Sequence, residues 1–186
     1  MATPRCVFDG FDRLNACRRE LRSLGLIGGD ANGIAFGNVS IRDGLTNQFY
    51  ITGSGTGAKE ELTPDDYAKV VGYDFALNSL KCEGIAVASA ESLTHAAVYE
   101  CASDAGAVIH VHSRRLWTEF TGRAATTSAA IEYGTPAMAF EVKRLFETTA
   151  VRAEKIFVMA GHPDGVVGFG RDLAEAFAVL SGNLRP

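Results

Sequence analysis

The stretch GAVIHVHSRR, Gly106 to Arg115, sets two histidines two residues apart inside an apolar run. Ala107, Val108 and Ile109 lead in and Val111 lies between the imidazoles, which predicts a strand in the middle of a packed sheet. Successive side chains on a strand alternate between faces, so His110 and His112 share a face with α-carbons roughly 6–7 Å apart. Two neutral imidazoles buried together cost free energy unless each finds a partner. One reading is a pair of hydrogen-bonded sheet histidines. The other is half of a metal site, because one divalent cation accepts nitrogen from both at about 2.0–2.1 Å.

Outward from this strand, ESLTHAAVYECAS before it reads as a helix and SRRLWTEF after it as a short helix or turn. Further towards the N-terminus, Phe11, Leu14, Leu21 and Leu24 recur at helical spacing with Arg13, Arg18, Arg19 and Glu20 between them, and Gly28 and Gly29 are expected to end that helix. GIAFGNVSIR and QFYITGSG read as two strands. Thr63, Pro64 and Asp66 make a helix start: a hydroxyl cap, proline at the first position and acid near the positive end of the dipole. KVVGYDFALNSLKCEG reads as a hairpin turning near Asn78 and Ser79. Towards the C-terminus come a loop rich in Thr and Ala, a helix from Pro136 to about Thr148, the strands KIFVMAG and GVVGFG, and a last helix beginning near Asp172. Strands joined both by hairpins and by helices predict an α/β fold: three α/β/α layers with a central, mostly antiparallel sheet.

A chain of 186 residues, 47% hydrophobic and 22% charged, fits one domain spanning 1–186 with a sizeable core. Eighteen Lys and Arg stand against 22 Asp and Glu, without long charge blocks. That balance recommends neither nucleic acid nor an anionic membrane as partner and leaves a small molecule. Cys6, Cys17, Cys82 and Cys101 have no Cys-x-x-Cys spacing, which suits reduced structural thiols in the cytoplasm. The N-terminal MATPRCVFDG lacks a signal-peptide core, and no run approaches the roughly 20 apolar residues of a membrane span.

Candidates for the rest of a metal shell lie elsewhere in the chain. His162 follows KIFVMAG at the end of a strand, and Glu91 and His95 stand one helical turn apart on the helix that feeds the strand of His110. Three histidines and one glutamate would complete a tetrahedral zinc shell.

Five segments, GNVSIR (37–42), ITGSGT (51–56), SAESLTHAAVY (89–99), AVIHVHS (107–113) and AGHPDGVVGFG (160–170), occur in an order that resembles the class II aldolase and adducin head-domain family, whose members include fuculose-phosphate aldolase and ribulose-phosphate 4-epimerase. The resemblance covers nearly the whole chain, as a short member. It implies that His110, His112 and His162 are metal ligands, with Glu91 as the acidic ligand beside them. It also implies zinc as the metal, with other divalent ions possible in its place. In the family's aldolases a phosphorylated ketose displaces the glutamate, which then takes the proton next to the carbonyl while the metal stabilises the enediolate. Glu91 is thus the implied catalytic base. His95 matches a family histidine that packs or hydrogen-bonds behind the site. The phosphate-binding residues carried over are Asn38, Ser54, Gly55 and Ser89.

Two features depart from the family pattern. Ala90 stands where a second serine is frequent, which removes a hydrogen-bond donor from the phosphate pocket. The stretch between His112 and YGTPAMAFEV is short, so the family's catalytic tyrosine has no clear counterpart, and Glu132 and Tyr133 are the nearest candidates for the acid. The implied activity is a zinc-dependent aldolase, an aldehyde-lyase cleaving a small sugar or sugar phosphate. The alternatives are a ketose-phosphate epimerase or dehydratase of the same chemistry, or a non-catalytic adducin-like binding module. The family also implies a homo-oligomer, as a cyclic tetramer.

Overall fold

The computed structural model describes residues 5–182; the first four residues of MATPRCVFDG and the last four of the chain lie outside them. Helix α1 spans Phe11–Ser23 and buries Leu14, Arg18 and Leu21 on one face. It stops at Gly25 (φ +71°), where the amides of Gly25 and Leu26 turn back to the carbonyls of Arg22 and Leu21. The expected stop at Gly28 and Gly29 is therefore three residues late. Those glycines form β1 (Gly28–Gly29), which pairs antiparallel with β2 (Ala35–Phe36) in a small ribbon.

The single strand expected over GIAFGNVSIR is also divided. Gly37 adopts φ +76°, a conformation open to glycine, and separates β2 from β3 (Asn38–Arg42), which enters the main sheet. Strand β4 (Phe49–Thr52) follows as a hairpin partner of β3. Thr63 caps as expected, with the Asp66 carboxylate accepting in return from the Thr63 amide, but it starts only a 3-10 turn over Pro64–Asp66. The turn gives way to β5 (Tyr67–Asp74), because Tyr67, Ala68 and Val70 bury themselves by pairing with β4. β6 (Ser79–Glu83) closes the hairpin after Asn78, which holds φ +50°.

Helix α2 (Ser92–Cys101) precedes β7 (Ala107–His112), and α3 (Arg114–Phe120) follows, capped by the Ser113 hydroxyl. The Thr/Ala-rich loop contains β8 (Ala125–Thr126). Next come α4 (Pro136–Thr148), a one-turn α5 (Val151–Glu154), β9 (Ile156–Val158), β10 (Gly165–Gly170) and α6 (Leu173–Ser181). The eight-stranded sheet runs β6-β5-β4-β3-β7-β10-β9-β8. Only the β8–β9 pair at its edge is parallel, so the fold is mixed α/β with a mostly antiparallel sheet.

Helices cover both faces. Leu14 and Leu21 of α1, Leu116 of α3 and Leu180 of α6 pack with Val39, Ile109, Val111 and Val166. Leu93 and Ala97 of α2 and Met138 and Val142 of α4 pack with Ile51, Val108, Val167 and Phe169 on the other side. In β7 the alternation is strict: Ala107, Ile109 and Val111 face α1 and α6, so His110 and His112 fall with Val108 on the α2/α4 face. Register places Asn38 beside His110 on one flank and Gly165 beside His112 on the other.

Candidate metal centre and active site

A cavity of about 200 Å³ opens at the C-terminal end of β7. Its wall takes Asn38 from the start of β3, Gly53 to Gly57 from the turn after β4, and Ser89 to Glu91 from the approach to α2. His110 and His112 come from β7, Tyr133 from the loop before α4, and His162 from the loop joining β9 to β10.

His110, His112 and His162 each present a ring nitrogen, and the three atoms lie within 4.8 Å of one another. Tetrahedral ligand atoms around zinc sit about 3.3 Å apart, so the cluster fits a divalent ion with small ring adjustments. The rings meet at oblique angles: His112 and His162 have centroids 4.6 Å apart at 80°, with their Nε2 atoms 2.9 Å apart. His110 Nε2 is buried and, among the described residues, has no hydrogen-bond partner. Asn38 lies 3.2 Å from the other nitrogen, His110 Nδ1, and Asn38 Oδ1 is likewise buried without a partner. Turning the amide by 180° gives His110 Nδ1–H an acceptor. Oδ1 then accepts from Nδ1–H, which leaves the Nε2 lone pair for a cation and directs the Asn38 NH2 away as a donor.

Burial holds all three imidazoles in the neutral, ligating form. It depresses His110 well below its usual range, aided by the neighbouring His112 and His162, and pushes His162 down to about 4. It also lowers His112, against the pull of the Asp164 carboxylate. Phe36 stacks on His112 with centroids 5.0 Å apart, and Tyr133 lies over His162 at 4.0 Å. Each aromatic covers a different histidine of the cluster.

Glu91 lines the same cavity but is not one of the residues whose ligand atoms cluster within 4.8 Å. It sits at the position before α2, 4% exposed. Oε2 accepts from the Thr94 hydroxyl at 3.0 Å, and Oε1 has no partner. Burial pushes its carboxyl up to about 7, although the Thr94 bond acts the other way. Ser89 Oγ accepts from the Glu91 amide at 3.3 Å, and Ser54 and Gly55 form the outer bend of the opposing turn.

His95 does not reach the cavity wall. Fully buried behind it, His95 bonds through Nδ1 to Ser40 Oγ at 2.7 Å, and Ser40 Oγ lies 2.8 Å from the Tyr99 hydroxyl. Burial pushes His95 down to about 3. Glu132 is exposed and absent from the cavity wall. Its carbonyl accepts from the Thr135 hydroxyl in the turn that starts α4, and it is the next residue, Tyr133, that points inward. Of the two candidate acids, only the tyrosine meets the site.

A family profile for the Class II Aldolase and Adducin N-terminal domain matches residues 16–181. The chain belongs to this family. A sequence search against curated proteins returns no match. Among solved structures, an L-fuculose 1-phosphate aldolase superposes with a TM-score of 0.72 at 20% identity, covering 95% of this chain and 82% of that one. The L-fuculose-1-phosphate aldolase from Thermus thermophilus superposes at 0.64 with 22% identity, covering 93% and 88%. The N-terminal class II aldolase domain of a Thermoplasma acidophilum protein gives 0.60 at 14% identity, with both chains fully covered. At such identities the likeness is one of fold.

Motif reading alone missed the class II aldolase cavity wall supplied by the β1–β2 ribbon: Asp30, Ile34, Ala35 and Phe36. Phe36 adjoins the GNVSIR motif, yet in a sequence it is one more apolar residue of a strand. Nothing local signals that Gly37 turns it onto His112. Among the described residues no helix is long and apolar enough to cross a membrane, and the four cysteines are free.

Proposed function

We propose that this class II aldolase family member is a zinc-dependent lyase that cleaves a small sugar phosphate by retro-aldol chemistry. The observation that carries the reading is the pairing, in one cavity, of three neutral imidazoles within 4.8 Å with a buried carboxyl whose Oε1 has no partner. His110, His112 and His162 would hold the ion, with Glu91 as an exchangeable fourth ligand. Nitrogen donors in that number suit zinc. Bound there, the ion supplies a Lewis acid that polarises a substrate carbonyl and stabilises negative charge on its oxygen.

The chain's own residues then carry the protons. In the condensation direction Glu91 takes the proton from the carbon next to the carbonyl, that carbon bonds the aldehyde carbon, and the Tyr133 hydroxyl gives its proton to the aldehyde oxygen; cleavage runs these transfers in reverse, and exchange with water resets both groups. Burial, which lifts the metal-free carboxyl to about 7, favours a group that both holds and releases a proton near neutral pH. Phe36, Ile34 and the aromatic face of Tyr133 supply the apolar part of the cavity wall. Asn38, Ser54, Gly55 and Ser89 are proposed to hold the phosphate. Ala90 offers no hydroxyl there, so the backbone amides of the turn take a larger share. We also expect a homo-oligomer, a tetramer by family resemblance.

The test is a screen of phosphorylated ketoses with zinc-loaded protein, reading aldehyde release alongside metal content. About one zinc per chain with aldehyde formed supports the lyase. Isomerised or dehydrated product without aldehyde favours epimerase or dehydratase chemistry. Protein without metal, inert on every ketose, favours the adducin-like binding module.

A further inference from the structure

Arg18 is 1% exposed on the inner face of α1, and it forms no ion pair among the described residues. Its guanidinium is instead enclosed by backbone carbonyls of one loop. Nη2 donates to the carbonyls of Thr56 and Gly57, each at 2.9 Å, and to that of Lys59, while Nη1 donates to Glu60 O at 2.9 Å. The nearby acids are engaged elsewhere: Asp66 with Lys59 at 2.6 Å and Glu61 with Arg19 at 3.4 Å. A buried cation with no counter-charge is costly, and guanidinium does not escape the cost by losing its proton.

The loop it grips is the far side of the small-residue turn that lines the cavity. In a trans peptide the carbonyl of one residue and the amide N–H of the next point in opposite directions. Drawing Thr56 C=O back onto Arg18 therefore sends Gly57 N–H forward. No acceptor among the described residues takes the Gly57 N–H or that of Gly55. A side chain at Gly57 would meet Gly28 O at 2.5 Å and Phe36 O at 2.6 Å, so the backbone there is held close against the β1–β2 ribbon. Among the described residues the cavity wall contains no Lys or Arg.

We infer that Arg18 is the positioning residue of the anion subsite: it aims the Gly57 amide of the 53–57 turn into the cavity and supplies, through the peptide units between, the positive potential that draws an anionic substrate group. This rests on the sugar-phosphate reading above and identifies where that reading's missing charge resides. A phosphate bound on the cavity side is in turn the counter-charge that the buried guanidinium lacks. Arg18 touches no substrate and acts only through the turn.

The experiment uses inorganic phosphate as probe on the zinc-loaded, full-length chain. Native protein should bind phosphate at millimolar concentration, with the Gly57 amide resonance shifting on titration. Arg18→Met should bind it about 10-fold or more weakly while keeping its zinc. For a phosphorylated ketose it should raise KM with little change in kcat, and leave KM for an unphosphorylated hydroxyketone unmoved. Arg18→Ala should regain affinity in millimolar guanidinium chloride, and Arg18→Lys should recover part of it. Phosphate binding that leaves the native Gly57 amide unshifted overturns the assignment even if no variant folds. So does equal phosphate affinity in native protein and Arg18→Met, in which case the sugar-phosphate reading survives. Native protein that binds no phosphate overturns both.

Discussion

Glu91 and His95 stand one turn apart and are both buried, yet they lie in different networks. The Glu91 carboxyl faces the cavity with one oxygen free, whereas His95 is tied through Ser40 to Tyr99, buried between α2 and the sheet. The difference arises because Glu91 precedes the first turn of α2, where the chain still follows the cavity rim, while His95 lies inside the helix. Glu91→Gln keeps the size and an oxygen but cannot accept a proton. Zinc content should stay near native while turnover falls by roughly 100-fold or more. The more direct readout is exchange of the hydrogen next to a ketose carbonyl with heavy water: native protein should catalyse it and the Gln variant should not. Equal exchange rates would remove Glu91 from the role of base.

At the scale of elements, the site depends on a strand being broken. Gly37 separates β2 from β3, and that break lets Phe36 stack on His112 while Asn38, one residue on, registers beside His110. Its φ of +76° disfavours any other residue, and an added Cβ would meet Ile27 Cγ1 at 2.6 Å and His110 O at 3.2 Å. Gly37→Ala should destabilise the fold by roughly 1–3 kcal/mol. It should also lower zinc affinity, read by competition with a chromogenic chelator, because both Phe36 and Asn38 would move. A variant with unchanged urea midpoint and zinc affinity would show that the ribbon is independent of the centre. In the sequence, GIAFGNVSIR carries strand-forming residues on both sides of Gly37, so one strand was the natural reading. The same holds for Thr63-Pro64, where the cap was legible but the helix was overridden by the pairing of β5 with β4.

For the molecule as a whole, the buried imidazoles make acid stability depend on the metal. His95 is pushed down to about 3 and His162 to about 4, and His110 lies well below its usual range. An unfolded chain takes up protons on these groups as pH falls through about 6.5, and the folded chain does not. The stability they contribute is therefore fully present above that pH and is lost as pH falls towards the folded values. Each histidine that stays neutral withdraws roughly 2 kcal/mol between pH 8 and pH 5. Glu91, raised to about 7, acts in the opposite direction: the folded state binds its proton first, so acidification from pH 7 towards 4.5 adds back an amount similar to one histidine's share. The histidines outnumber it. Protein stripped with a chelator should show a falling urea midpoint between pH 8 and pH 5, and saturating zinc should raise the midpoint most at the upper end, where the folded state's Glu91 carboxyl is ionised, its histidines being neutral throughout. A flat or rising midpoint on acidification of the stripped protein would contradict the burial of these rings.

What the sequence determined by itself was whatever depends on neighbours within a few residues. Strand alternation put His110 and His112 on one face, helical spacing placed Leu14 and Leu21 on the inner side of α1, and Pro136 and Asp172 marked where α4 and α6 begin. The ordered motifs added the family, and through it His162, Glu91, Asn38, Ser54, Gly55 and Ser89 as residues of one cavity. Tertiary structure decided what depends on register between distant segments. It brought a loop 50 residues beyond His112 to within 2.9 Å of it, chose Tyr133 over Glu132 as the residue facing the site, and turned Phe36 onto an imidazole. It also buried Arg18, which in the sequence is one of several charges on an amphipathic helix, behind a turn 38 residues away. Charge and periodicity are properties of a segment. Whether an arginine faces water or four carbonyls is settled only when another segment folds over it.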